Sequence, residues 1–274
     1  MTYDHETIRL EIEPPLAEIV LTREQVHNAI SSAMTREILA ALHVVEESRS
    51  ARILIVRGEG ANFCAGADLA ELKTLQQSDY EGNLQAGREL AALFGRLYSF
   101  PKATVAAVQG ACVAGGCGLA TACDLVVADP GAHFRYSEVS IGFVAAIVSI
   151  FLVRAVGEKH ARELMLTARR VQAEEAERIG LVNEVTAEGE YLERARTIAR
   201  EIALNSPAAI RHAKEVLTAV QVMGLEEALK FTAEYNARAR LEPECLEGVR
   251  AFFEKRAPAW RADVEEMLAG ESND

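Results

Sequence analysis

The chain has 274 residues, half of them hydrophobic and about a quarter charged, and its formal net charge at pH 7 is −12. This length can bury a substantial core, either in one large domain or in a domain with an appendage. The acidic balance argues against nucleic-acid binding through a broad basic surface, but it is compatible with a small anionic ligand held by backbone amides.

Short strands and one helix are predicted before residue 60. Residues 8–12 alternate apolar and polar side chains, residues 17–21 follow a Pro-Pro break, and residues 52–57 form an apolar run that ends at Gly58. Between the second and third runs, apolar residues recur at helical spacing from Met34 to Val45, after two serines that are suitable helix caps. The predicted order is therefore strand, strand, helix, strand.

Two glycine-bearing turns follow apolar strand-like runs and lead into helix-like ones. The first is residues 62–68 (NFCAGAD), and the second is residues 110–118 (GACVAGGCG), after a helix-like stretch around residues 90–98 and a strand at 104–109. Glycine lets the backbone approach a ligand closely, and the first turn of a helix leaves amide N–H groups without internal partners. Two such turns, if they converge, predict a binding site built from main chain.

The repeated strand–turn–helix unit predicts a superhelix of β/α repeats. A small-residue helix is expected from Gly115 to Ala122, and a strand at residues 125–128. From about Gly157 onward the pattern is helical apart from residues 181–185. We expect a core over residues 1–200 that holds the site, followed by a helical region over residues 201–274.

The sequence also predicts where the protein is located and how its cysteines behave. The N-terminus lacks the basic start and apolar core of a secretory signal, so a cytoplasmic location is expected. Residues 103–123 contain several glycines and residues 139–153 are shorter than a span of roughly 18 residues, so both are predicted to be buried elements and not membrane segments. Five cysteines without a CxxC pair predict neither a metal site nor a disulfide, and Cys64 is predicted to be a buried apolar side chain.

In these motifs the chain resembles the crotonase superfamily, the enoyl-CoA hydratase/isomerase family. The segments that carry the resemblance, in the family's order, are residues 21–31, 63–69, 108–124, 134–142, 166–167, 173–176 with 180–183, and 247–256. The resemblance implies an α/β fold, a crotonase-like spiral of ββα repeats, whose C-terminal helical region serves oligomerisation and covers the active site. It also implies homotrimers or homohexamers, an acyl-CoA substrate, and no cofactor or metal beyond the coenzyme A of the substrate itself.

The resemblance further implies an oxyanion hole for the thioester carbonyl, formed by the backbone amides of Ala67 and Gly115. Fixed N–H donors stabilise an enolate where its charge develops, and Gly115 adds the favourable end of a helix dipole. Substrate contacts are carried over to Arg23, Cys64, Ala65, Gly66, Asp68, Gly116, Tyr136, Ala146 and Lys255. Of these, Tyr136 fits core packing better than a hydrogen bond to the substrate, and both cations are equally compatible with a solvated surface. Ala70 replaces a lysine that the family often uses for coenzyme A.

The family's hydratases use two glutamates, and only one of them is present here. Glu138 occupies the later position and is expected to be half-buried with a raised pKa, whereas Gly118 stands at the earlier one. Loss of one cooperating carboxylate weakens water addition, but a single carboxylate suffices to move a proton along an allylic system. Hydration and double-bond isomerisation therefore both stay open.

Three other interpretations compete with these. One is another crotonase chemistry, decarboxylation or hydrolysis of an acyl-CoA, and a second is a catalytically weak CoA-binding homologue. A hydrolytic triad of Ser137, His133 and Asp124 is the third, but no nucleophile-elbow motif surrounds the serine.

Overall fold

Ten strands are present in the computed structural model, which describes residues 1–271. They are β1 (Thr2–Asp4), β2 (Ile8–Glu13), β3 (Leu16–Leu21), β4 (Ile53–Gly58), β5 (Ala103–Val108), β6 (Ala111–Val113), β7 (Leu125–Ala128), β8 (His133–Arg135), β9 (Val171–Gln172) and β10 (Glu184–Val185). The helices are α1 (Ser32–Glu47), α2 (Leu69–Leu75), α3 (Tyr80–Tyr98), α4 (Gly115–Ala122), α5 (Ala146–Thr167), α6 (Ala173–Arg178), α7 (Tyr191–Ala203), α8 (Pro207–Val220), α9 (Leu225–Ala239), α10 (Pro243–Glu254) and α11 (Ala259–Glu271).

The main sheet has seven strands in the order β1-β2-β3-β4-β5-β7-β10. The first three pair antiparallel through tight connections, and the pairings from β3 to β10 are parallel because helices connect those strands. A smaller sheet has the order β6-β8-β9. The predicted α/β class, and the strands predicted before residue 60 and at 104–109 and 125–128, are confirmed within one or two residues.

The main sheet is covered on both faces. Leu54 and Val56 of β4 belong to the core shared with α1, α3, α4 and α5, whereas Ile53 and Ile55 pack with α7 and α11. Successive residues of one strand thus pack alternately against the helices on the two faces of the sheet. This explains why the central parallel strands consist almost entirely of apolar residues. The predicted cap of α1 is confirmed, since the Ser31 side chain accepts a hydrogen bond from the Met34 amide.

One burial prediction is wrong. Residues 103–123 form buried elements as expected, but residues 139–153 expose several large apolar side chains: Val139, Ile141, Phe143, Val144, Ile150 and Val153. Only one side of this segment packs on the core, through Val148, Phe151 and Leu152. The continuous apolar run therefore does not mark complete burial within one chain. In the part of the chain that the structure describes, no helix combines the length and apolar character needed to cross a membrane.

Candidate active site

The first glycine turn is held open by backbone pairing with the segment before α1. The Ile30 amide donates to the Gly66 carbonyl at 2.7 Å, and the Asp68 amide donates to the Ile30 carbonyl at 2.9 Å. These two bonds form a parallel bridge between Ile30 and Ala67, a pattern in which the Ala67 amide points away from its partner. Among residues 1–271 the Ala67 N–H has no acceptor, so it is available to a ligand.

The second turn delivers a similar free amide at the start of α4. Gly115 is the first residue of that helix and therefore has no intrahelical acceptor for its N–H group. Ala114 just before it adopts φ +52°, an uncommon conformation for a residue with a side chain, and its amide donates to the Arg135 carbonyl at 2.8 Å. This strained residue turns the chain so that α4 begins against the first turn.

Glycines make the two turns converge. A Cβ on Gly116 would lie 2.2 Å from the Cys64 carbonyl oxygen, and one on Gly66, which has φ +90°, would lie 2.7 Å from the Ala114 Cβ. The space beside Gly115 is also shared, because its Cβ position is 3.7 Å from the Ala67 nitrogen. The structure thus brings together the two amides that the family resemblance pairs as donors.

Glu138 follows β8, the strand that pairs with β6 of the second turn. Val113, two residues before Gly115, pairs with Arg135 of β8. Glu138 lies three residues after Arg135, so it follows the strand that lies beside the second turn. Its side chain is 9% exposed, and its Oε2 atom has no hydrogen-bond partner in the described part of the chain. Burial raises the pKa of this carboxyl, as expected from the sequence. A carboxyl held in this way is a stronger base than a solvated one and is suited to accept and return a proton.

Gly118 lies in a closed apolar contact. A Cβ at this position would be 2.3 Å from Val148 Cγ1 and 3.1 Å from two ring carbons of Phe94. Both neighbours are almost fully buried, on α5 and α3 respectively. A glutamate at residue 118 therefore has no room without displacement of these side chains.

The other residues assigned to substrate contact have varied surroundings. The Cys64 and Ala65 amides donate to the Ala111 and His27 carbonyls, and burial raises the pKa of Cys64 to about 12, which confirms a buried and unreactive thiol. Tyr136 is 1% exposed and packs in the core. Ala146 is the exposed first residue of α5.

The Arg23 guanidinium lies beside the first turn. It pairs with Asp68 at 2.8 Å and donates to the Ala29 carbonyl at 2.6 Å. The Asp68 carboxylate also caps α2 by accepting from the Ala70 amide, and the nearby arginine lowers its pKa. Lys255 is an exposed residue at the end of α10, where its amide donates to the Phe252 carbonyl. The structure therefore brings Arg23 and Asp68 beside the first turn, whereas the hydrogen bond described for Lys255 lies within its own helix end.

The residues of a possible hydrolytic triad are engaged elsewhere. Asp124 accepts hydrogen bonds from the Thr104 backbone and hydroxyl and from the Lys214 ammonium, so it orients no histidine. Burial lowers the pKa of His133, which lies at the start of β8. Among the described residues, His43, Glu46 and Glu47 on α1 have side-chain atoms close enough together to hold a metal ion. His43 and Glu47 are exposed, and Glu46 is paired with Arg96.

Sequence reasoning did not identify several residues that build this site. Ile30 fixes the first turn through its backbone, while Phe94 and Val148 close the space beside Gly118. The Asn62 side chain also contributes, since its Oδ1 accepts from the Ala111 amide at 2.9 Å. Asn62 had a sequence signal, a turn-forming residue beside a glycine motif, but the apolar neighbours of Gly118 had none.

Comparisons with known proteins agree with this geometry. The model of the family described as enoyl-CoA hydratase/isomerase matches residues 11–263. A Thermus thermophilus protein whose name provisionally assigns it as an enoyl-CoA hydratase is 47% identical over 89% of this chain and 96% of its own. The short-chain-enoyl-CoA hydratase of Clostridium acetobutylicum is 32% identical over 90% of this chain and 94% of its own.

A solved structure extends the agreement to the fold. The crystal structure of an enoyl-CoA hydratase from Shewanella pealeana is 33% identical, covers 93% of this chain and 96% of its own, and superposes with a TM-score of 0.89. The expected spiral α/β fold with its C-terminal helices is thereby confirmed.

Proposed function

This chain belongs to the enoyl-CoA hydratase/isomerase family, and we propose that it transfers a proton on an enoyl-CoA thioester held between the Ala67 and Gly115 amides. Family membership makes it an enzyme that acts on this class of compound. The convergence of two unpaired amides, enforced by glycines at residues 66 and 116, is the observation that supports the oxyanion hole.

The two amides are proposed to stabilise the enolate oxygen of the thioester. Removal of a proton from C2 moves negative charge onto the carbonyl oxygen, where each fixed donor contributes on the order of 3 to 4 kcal/mol. Gly115 contributes more than its hydrogen bond because α4 directs the positive end of its dipole at the same point. No further cofactor or metal takes part in this proposal, and coenzyme A is part of the substrate.

Glu138 is the proposed acid and base. Its carboxylate removes a proton from C2 of a 3-enoyl-CoA, which gives a dienolate, and the resulting carboxylic acid returns that proton at C4. The product is the 2-enoyl-CoA, with every atom of the substrate retained. A buried carboxyl with a raised pKa suits both halves of this exchange, because it is a stronger base than a solvated one and still readily gives the proton back.

Gly118 favours isomerisation over hydration. Water addition in the family uses a second carboxylate at this position, and here Phe94 and Val148 occupy the space that its side chain would need. Hydration is the second candidate, since the names of the similar proteins from T. thermophilus and C. acetobutylicum both refer to enoyl-CoA hydratase.

Binding of the coenzyme A part is proposed to involve the first turn and neighbouring cations. The backbone of residues 64–66 contacts the adenine, and Arg23 lies close enough to that turn to contact a phosphate. Asp68 and Gly116 shape the same turns, and Ala146 is proposed at the acyl end. Lys255 is proposed to reach the coenzyme A of a neighbouring subunit, which fits its exposed position at the end of α10.

The chain is proposed to form homotrimers or homohexamers and to work in the cytoplasm, with residues 201–274 providing subunit contacts and a cover for the site. Support comes from large apolar side chains that single chains expose on these helices: Leu225, Leu229, Leu246, Phe252 and Phe253. Sedimentation or light scattering on the purified protein measures the subunit number directly.

The test of the proposed reaction uses two substrates and one variant. We expect turnover of a 3-enoyl-CoA to exceed hydration of crotonyl-CoA, and Glu138→Gln to lower it by about 10²- to 10⁴-fold. Glu158→Gln is the matched control, because Glu158 is an exposed glutamate paired with Arg162 on α5. Unchanged turnover in Glu138→Gln contradicts the proposal. If neither substrate reacts but coenzyme A thioesters still bind, decarboxylation, hydrolysis or a binding role replaces it.

A further inference from the structure

A cavity of about 320 Å³ lies at the opposite edge of the main sheet from the proposed active site. Ile53 and Lys102, at the amino-terminal ends of β4 and β5, line it together with residues from the end of α7 and the start of α8. The two glycine turns follow the carboxyl ends of the same strands, so the six residues of β4, about 20 Å of strand, separate cavity and active site. The cavity is therefore no part of the thioester pocket.

Its lining is cationic in a chain of net charge −12. Arg52, Lys102 and Arg211 face it, and Glu46 is the acidic residue of the lining. That glutamate already pairs with Arg96, so it neutralises little of the charge within the cavity. A local excess of positive charge against an acidic background attracts anions.

The two guanidinium groups lack close carboxylate partners. The nearest carboxylate to Arg52, that of Asp263, lies 3.7 Å from Nη2, and because Nε is buried, a ligand would be contacted through the Nη groups. Arg211 is 3.9 Å from Glu215 and makes its closer contact, 3.3 Å, with a ring nitrogen of His212. Both carboxylate distances exceed the 2.7–3.2 Å or so of a hydrogen bond, so donors remain for a ligand.

Lys102 supplies charge but no free donor. Its ammonium group donates to the carbonyls of Val45, Ser48 and Ala51 at 2.5–2.8 Å. Burial and then the nearby Arg52 lower its pKa to about 8, so it is mostly protonated at neutral pH. The start of α8 is likewise occupied, since Glu244 accepts from the Ala208 amide. Recognition of an anion at this place therefore depends on Arg52 and Arg211.

Apart from Asn205, the rest of the lining is apolar and includes Ile53, Pro101 and Ile210. We propose that this cavity binds a small organic anion, a carboxylate or phosphate group on a short apolar body, with Arg52 and Arg211 as the hydrogen-bond donors. The oxyanion lies between the two guanidinium groups, and the apolar body lies against the wall from β4 and α8. This site is independent of the thioester chemistry.

Isothermal titration of the full-length protein with sodium hexanoate and with sodium phosphate tests the proposal, with sodium chloride at matched ionic strength as reference. We expect saturable binding of at least one probe. Loss of one charged hydrogen bond weakens binding by about tenfold, so Arg52→Gln and Arg211→Gln each show this loss. Arg162→Gln, an exposed arginine paired with Glu158, is the matched control and binds normally.

The two probes separate the possible ligands. Tighter binding of hexanoate identifies a carboxylate on an apolar body, and tighter binding of phosphate identifies a phosphate ester. Absence of saturable binding beyond chloride overturns the proposal, as does equal binding by the two glutamine variants and wild type. Because Arg211 lies on an exposed helix face, Arg211→Gln gives a decisive result even if Arg52→Gln folds poorly.

Discussion

Replacement of Gly118 by alanine tests the closed contact that separates this site from one with two carboxylates. The new Cβ would be 2.3 Å from Val148 Cγ1, whereas carbon atoms in ordinary contact lie about 3.5–4.0 Å apart. Overpacking of this kind costs about 1–3 kcal/mol of the free energy of unfolding. Alanine in place of a helical glycine returns roughly 1 kcal/mol, so a control must remove that gain.

Gly95→Ala is that control. Gly95 lies within α3, next to Phe94, and a Cβ there meets nothing within 4 Å. Both variants receive the same gain in helix propensity, so the difference between them isolates the packing cost. We expect Gly118→Ala to unfold with a free energy about 1–3 kcal/mol below that of Gly95→Ala in urea denaturation.

A second substitution locates the origin of that cost. Val148→Ala removes the contacting methyl group, so the double variant Gly118→Ala/Val148→Ala should be more stable than the sum of the single effects predicts, by about 0.5–3 kcal/mol. Strict additivity, or equal stabilisation by Gly118→Ala and Gly95→Ala, refutes the reasoning that Val148 closes this position.

Four further predictions concern the proposed site. Glu138→Gln should lower kcat for isomerisation by about 10²- to 10⁴-fold, measured spectrophotometrically. Because burial raises the pKa of Glu138 in the folded state, its stabilising contribution is present at low pH and is lost as pH rises through that pKa, so Glu138→Gln should be at least as stable as wild type at pH 7 in urea denaturation. The pKa that governs the acid limb of the kcat/KM profile should lie above the ordinary glutamate pKa of 4.5, since Glu138 must be ionised to act as base. An acid-limb pKa at or below 4.5 contradicts its role. Gly116→Ala would place a methyl group 2.2 Å from the Cys64 carbonyl oxygen, so it should lower both thermal stability and turnover by separating the turns, and normal turnover would show that their convergence is not needed.

Much of the fold was predictable because it is encoded locally. Alternation identified β2, a serine cap identified the start of α1, and glycine in both turns identified the sites of close backbone approach. The donors Ala67 and Gly115 were named from the resemblance to the crotonase superfamily. The helix start leaves the Gly115 amide without an intrahelical acceptor, whereas the orientation of the Ala67 amide depends on its bridge to Ile30, a distant segment.

The features that were not predictable depend on contacts between distant segments. Nothing near Gly118 in the sequence indicates that Phe94 and Val148, 24 and 30 residues away, meet beside it. The exposure of Phe143 and Ile150 was unpredictable for the same reason. An apolar run has the same sequence pattern whether it packs in the core of its own chain or stays exposed at the surface.

Gly118 itself shows why both kinds of information are needed. From the sequence alone, the missing glutamate is compatible with an open, water-filled space at residue 118. In such a space, solvent or a neighbouring side chain takes over the catalytic role of the glutamate. The structure instead has an apolar contact too tight for a single added methyl group. Since Phe94 and Val148 also pack in the main core, the space cannot be regained by a rotamer change of one side chain. A substitution to glutamate alone should therefore not raise the rate of crotonyl-CoA hydration, because a side chain at residue 118 first requires smaller residues at 94 and 148.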